Sequence, residues 1–216
     1  MHFQDLKRSI HLTALQVNQK ADYLVDLIRA GMLDKLKLFF NDCKNHNDGA
    51  GILQTRFQLK LEFGKKMRTK EEEGSGLNES EDGKENVKMI LSPIHIAIMS
   101  KHKSRPEVVN EIGRFIDRLP EPVAILQDVL EQTISLPEFK DDRKTWYKSD
   151  RKLDGMNAFH LASIFSTNSL KALFNMKKHK NLTEFEFSPF LKKKNTYLGR
   201  TPLHSAVRKR THKSTR

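Results

Sequence analysis

Thr201-Pro202-Leu203-His204-Ser205-Ala206 is the stretch on which the reading of this chain turns. Two other segments align with it on sight: Ser92-Pro93-Ile94-His95-Ile96-Ala97 and Asn157-Ala158-Phe159-His160-Leu161-Ala162. Each runs capping residue, Pro or Ala, apolar residue, His, any residue, Ala. A Ser, Thr or Asn side chain accepts a hydrogen bond from an amide of the first helical turn. A proline just inside the helix loses no backbone bond and presets φ. The apolar residue and the Ala pack inward, and Ala is small enough to let neighbouring helices approach closely. Each segment therefore predicts a helix start. Three like starts predict a repeated unit, and an internal repeat outranks any isolated motif when a fold is assigned.

The pattern resembles the T-P-L-H-x-A signature of ankyrin repeats, whose period is about 33 residues. The copy at Thr201 matches every fixed position and is preceded by Gly199. The copy at Asn157 is preceded by Asp154-Gly155-Met156, similar to the family's D-G-x lead-in. Ala21 to Asn41 looks like an N-terminal helix pair of the family without the signature. The resemblance covers roughly Ala21 to Arg216, leaving residues 1–20 as an N-terminal segment. It implies an all-α fold: an ankyrin-repeat-like α-solenoid of helix-turn-helix pairs with β-hairpin loops. It also implies structural duty for Pro93, His95, Ala97, His160, Ala162, Thr201, Pro202, His204 and Ala206. In the family, the His makes hydrogen bonds that fix the turn between repeats.

The function implied is non-enzymatic: a protein–protein interaction scaffold or adaptor, with a partner docked on hairpin tips and inner helices. The contact candidates are residues after each signature, namely Ser100, Lys101, Phe165, Ser166 and Arg208. Polar and basic side chains there favour an acidic protein partner. Two alternatives stay open. One is the cytosolic ankyrin region of a membrane cation channel similar to transient receptor potential channels. The other is a nuclear regulator that contacts nucleic acid through its basic C-terminal end.

Spacing departs from the family. His95 to His160 is 65 residues and His160 to His204 is 44. The first gap is expected to hold a degenerate repeat, built from the apolar positions after Glu121 and a long loop. The second is expected to hold an enlarged hairpin around Thr183 to Thr196, where Phe185 and Phe187 alternate with Glu184 and Glu186. The last unit, residues 199–216, lacks a second helix. A repeat face that meets nothing is unstable, so the sequence reads as a fragment of a longer protein.

Outward from the signatures, the periods agree with this plan. Tyr23, Leu24, Leu27 and Ile28 recur at helical spacing, Gly31 breaks the run, and Leu33, Leu36, Phe39 and Phe40 resume it. Phe57, Leu59, Leu61 and Phe63 alternate with polar residues, as do Val87, Met89 and Leu91, which predicts two strands of one hairpin. Between them lies an acidic, Gly/Ser-containing insert, residues 65–86, too polar to bury and expected to be disordered. Pro106 opens a further helix whose stripe is Val108, Val109, Ile112, Phe115 and Ile116.

The formal charge of +12 is unevenly spread. Leu191 to Arg216 holds nine Lys and Arg and no acid, whereas Thr69 to Asn86 holds two Lys against seven Asp and Glu. No Phe, Tyr or Trp is interleaved with the tail motif Arg208-Lys209-Arg210, Lys213 and Arg216, so stacking on single strands lacks its usual partners there, and nucleic acid is the less favoured partner. Trp146-Tyr147 is a lone aromatic pair between charged residues. One cysteine, Cys43, allows no internal disulfide. No stretch approaches the ~20 apolar residues of a membrane-spanning helix, and the first twenty residues lack the apolar block of a signal peptide. A cytoplasmic protein is expected, with the nucleus as the alternative. Cys43 and His46 have metal-ligand spacing, but a closed zinc site takes four ligands. No phosphate loop or nucleophile elbow is found, so neither cofactor, metal nor catalytic residue is assigned.

Overall fold

The structure is a computed structural model and describes residues 17–45, 48–61, 87–135, 153–196 and 198–211. These residues are mostly helical, with one antiparallel two-stranded hairpin. Helix α1 (Val17–Ala30) and helix α2 (Leu33–Asn45) form the first pair. Gly31 stands between them at φ 63°. Its N–H bonds to the Ile28 carbonyl at 3.2 Å, and that of Met32 reaches the Leu27 carbonyl at 3.1 Å. This is the helix ending that a left-handed glycine permits. Leu24, Leu27 and Ile28 on α1, and Leu36, Phe39 and Phe40 on α2, are buried as their spacing predicts.

Helix α3 (Gly49–Gln54) leads into strands β1 (Phe57–Leu61) and β2 (Val87–Leu91). Phe57 lies opposite Leu91 and Leu61 opposite Val87. The insert at 65–86 lies outside the described residues. Then come helices α4 (Pro93–Met99), α5 (Arg105–Asp117) and α6 (Pro122–Glu131). Helices α7 (Ala158–Phe165) and α8 (Thr167–Asn175) follow, with 3-10 turns at Met176–Lys178 and Lys180–Leu182. Helices α9 (Ser188–Lys192) and α10 (Pro202–Thr211) complete the order.

Packing sorts these helices into two rows. Helices α1, α4, α7 and α10 contact one another in succession, and so do α2, α5 and α8. Within each unit, α1 packs on α2, α4 on α5 and α7 on α8. Ala97 and Ala162 are fully buried in the first row. In the second row Phe40 of α2 stacks on Phe115 of α5, ring centroids 4.2 Å apart. Helices α3 and α6 pack on each other to the side.

Two expectations are corrected. Among the described residues the 65-residue gap puts no helix between its flanking units, because α4 packs directly on α7. The apolar positions after Glu121 form α6, which buries Ile125, Leu126, Val129 and Leu130 against α3 and α5. The expected hairpin around Thr183 to Thr196 holds no strand among the described residues, but turns and α9. Phe185 and Phe187 are buried, at 5.2 Å from each other, and both join Phe190 or Phe159. The Phe–Glu alternation there marks a chain that inserts aromatic rings into the core at a turn; four residues are too few to separate that from a strand.

Candidate functional site

The three signature segments build the same local device. Ser92, Asn157 and Thr201 stand at the N-termini of α4, α7 and α10. In each, the backbone N–H of the capping residue donates to Nδ1 of the His three residues on, at 3.3 Å. In each, the capping side-chain oxygen also meets that Nδ1: Ser92 Oγ at 2.8 Å, Asn157 Oδ1 at 2.7 Å and Thr201 Oγ1 at 2.8 Å. The i, i+3 spacing puts the imidazole back over the helix start, where it satisfies a donor that the helix leaves without a partner. Pro93 is buried and Pro202 likewise, each at the first helical position. The segments at His95 and His160 are sealed from solvent, whereas His204 is exposed. Ala206 is half-buried.

In front of two caps the chain closes in the same way. Asn195 N donates to the Arg200 carbonyl at 2.9 Å and Gly199 N to the Asn195 carbonyl at 3.1 Å. Ile134 N donates to the Met156 carbonyl at 2.9 Å and Gly155 N to the Ile134 carbonyl at 2.9 Å. Gly155 and Gly199 both have left-handed backbones, φ 70° and 59°. So the D-G-x lead-in at Gly155 and the Gly199 lead-in are one element, closed over a long span in one case and a short span in the other. The neighbouring hairpin joins it: Ile90 of β2 exchanges both backbone bonds with Ser135.

Units are tied together at His160. Its Nε2 lies 2.8 Å from the Arg200 carbonyl, just before the next cap. Burial lowers the proton affinity of His160, the Arg200 carbonyl opposes this, and Lys193 adds to the lowering. The Nε2 of His95 makes no hydrogen bond of ordinary geometry. Burial pushes His95 down to about 3, Arg56 adds to that, and the Gln132 backbone opposes it. Both buried rings are neutral at neutral pH.

The contact candidates divide into two kinds. Ser100 and Ser166 are half-buried and cap helices: Ser100 Oγ donates to the Ala97 carbonyl at 3.0 Å, and Ser166 Oγ accepts from Ser169 N at 3.1 Å. Lys101 and Phe165 are exposed at the C-terminal ends of α4 and α7. Those two helices are neighbours in the first row. Arg208 belongs to α10, and its side chain lies outside the described residues, as do His46 and Trp146-Tyr147. Leu203 and Val207, one turn apart on α10, are exposed at 72% and 56%.

Sequence reasoning missed a buried ion pair. Lys20 of α1, 2% exposed, pairs with Asp48 before α3. Nothing local signals a contact across 28 residues. Cys43 is buried, and burial above all pushes its thiol up to about 12, with Lys20 opposing and Asp42 and Asp48 adding. Among the described residues no three His, Cys, Asp or Glu side chains gather to hold a metal ion, and no helix is long and apolar enough to cross a membrane. Comparison with known proteins finds no matching family model, no matching curated protein and no matching solved structure.

Proposed function

We propose that this chain is an ankyrin-type α-solenoid that serves as a scaffold for a protein partner. The observation that carries the reading is the agreement of the recurring motif with packing: the three signature segments open α4, α7 and α10, and these helices stack in succession. A row of stacked helices suits an extended polypeptide laid across successive units and is poorly suited to enclosing a small substrate. The partner docks across the C-terminal ends of the first-row helices, where Lys101 and Phe165 are exposed. Phe165 supplies an apolar anchor and Lys101 a point charge, and an acidic polypeptide complements a chain of net charge +12. The cytoplasm is the compartment this reading favours.

The test places a photoreactive amino acid at Lys101, at Phe165 or at Leu38, which is exposed on α2 in the other row. The reading expects one protein cross-linked from positions 101 and 165 and not from 38. Equal cross-linking from all three positions sinks it. Recovery of nucleic acid instead, weakening steeply with salt, transfers the function to the basic C-terminal end.

A further inference from the structure

The three caps share a plan but not a chemistry. A hydroxyl both donates and accepts, so Ser92 and Thr201 suit a neutral imidazole. A carbonyl oxygen only accepts. Asn157 is held the right way round by two bonds: its Nδ2 donates to the Phe190 carbonyl at 3.0 Å, and its Oδ1 accepts from His160 N at 3.1 Å. Reversing the amide breaks both. His160 therefore sits between two pure acceptors, Asn157 Oδ1 at 2.7 Å from Nδ1 and the Arg200 carbonyl at 2.8 Å from Nε2. A neutral ring has one N–H, so one of these short contacts sets lone pair against lone pair. Only the imidazolium donates to both. Taking up a proton gives up the 3.3 Å bond from Asn157 N and gains a 2.7 Å bond to Asn157 Oδ1, while the bond to Arg200 becomes charge-assisted and stronger.

We propose that His160 is a proton-binding joint: as pH falls its ring takes up a proton in place, donates to both Asn157 Oδ1 and the Arg200 carbonyl, and keeps α10 fastened on α7. The charged and titratable groups on the elements packed against α7 leave this role to the two acceptors. Helix α4 offers His95, which burial keeps neutral. Among the described side chains, helix α8 offers Lys171 and helix α10 His204, both exposed; Arg208, Lys209 and Arg210 of α10 lie outside them. Lys193, after α9, disfavours the proton. No carboxylate is among the groups that shift the ring. The joint between α4 and α7 has no such provision, because the His95 Nε2 finds no acceptor in hydrogen-bonding geometry. The inference stands on the geometry of the joint and is independent of any partner.

The experiment is an imidazole ¹⁵N NMR titration of the full chain from pH 8 to pH 4, with amide exchange of α10 followed in parallel. In the wild type, His160 is expected to protonate on both nitrogens at higher pH than His95, with the α10 amides still protected. In Asn157→Ser, a cap that Ser92 shows to be compatible with the device, the proton affinity of His160 is expected to fall on the order of tenfold. The α10 amides should then lose protection over the same pH range. Three results each overturn the proposal: an unchanged His160 midpoint in the variant, protonation no earlier than His95, or wild-type uptake that coincides with loss of α10 protection. The last two need only the wild-type chain, so a variant that fails to fold does not shelter the idea.

Discussion

The two lead-in glycines offer a matched pair of perturbations. Gly155 and Gly199 have the same left-handed backbone and the same closing bonds, but different surroundings. A Cβ added at Gly199 meets nothing within 4 Å. One added at Gly155 falls 2.5 Å from the Thr196 backbone nitrogen and presses on the Thr196 side chain as well. The left-handed backbone costs an L-residue roughly 1–2 kcal/mol, at either position. The loss of unfolded-state freedom returns about 0.4–1 kcal/mol in both. Gly199→Ala is thus expected to destabilise by ~1 kcal/mol. At Gly155 the obstacle includes main chain that cannot swing aside, and forced overpacking adds roughly 1–3 kcal/mol. Gly155→Ala is expected to cost ~2–4 kcal/mol. Urea unfolding followed by far-ultraviolet circular dichroism separates the two: at an m-value of about 2 kcal/mol/M, the Gly155→Ala midpoint falls roughly 1 M below that of Gly199→Ala. Equal midpoints would refute the claim that the two lead-ins differ only by the contact between Gly155 and Thr196.

Other perturbations follow from the buried groups. His95 has a folded value of about 3, below the ordinary 6.5, so its stabilisation is whole above about pH 6.5 and is lost as pH falls toward about 3. Between pH 7 and pH 5 the wild type should lose about 2 kcal/mol more than His95→Gln, and parallel pH profiles of the two would count against a neutral, sealed ring. Asp48→Ala strands the Lys20 ammonium in the interior and is expected to cost about 3–5 kcal/mol, whereas Lys20→Met, which leaves Asp48 a path to water, should cost far less; thermal melts that rank the two the other way dismiss the ion pair as a structural element. Cys43, with its thiol pushed up to about 12, should resist a thiol-specific disulfide reagent at pH 8 in the native protein and react at once in denaturant, because the thiolate is the reactive form; prompt native labelling would mean that α2 opens freely.

What the sequence made legible was chemistry within one turn of chain. The three caps were visible because donor and acceptor lie three residues apart, and the hairpin of Phe57–Leu61 with Val87–Leu91 because a period of two persists through five residues on each side. Phe185 and Phe187 misled because two alternations are shared by strands and by turns that plunge aromatic rings inward. The direct packing of α4 on α7 was hidden because residue count along the chain is a poor guide to distance when a closing hydrogen bond short-circuits the span. For the site, the positions of Lys101 and Phe165 at helix ends were legible from the repeat, but the capping duty of Ser100 and Ser166 was not. The pairing of Lys20 with Asp48 belongs to tertiary structure alone, and so does the fact that Asn157, a conservative cap by residue type, confronts its histidine with an oxygen that cannot donate.

The closing bonds at Ile134 and Asn195 give the stacked helices a kind of indifference to length. The stretch between Ile134 and Met156 is roughly four times that between Asn195 and Arg200, yet lengthening it so far costs only about 1.2 kcal/mol of closure entropy. Cargo spliced behind such a clasp leaves no trace in the register of the stack. The place after Ser135 is therefore a ready insertion port, where a peptide tag or a reporter domain can be carried while α4 and α7 remain neighbours.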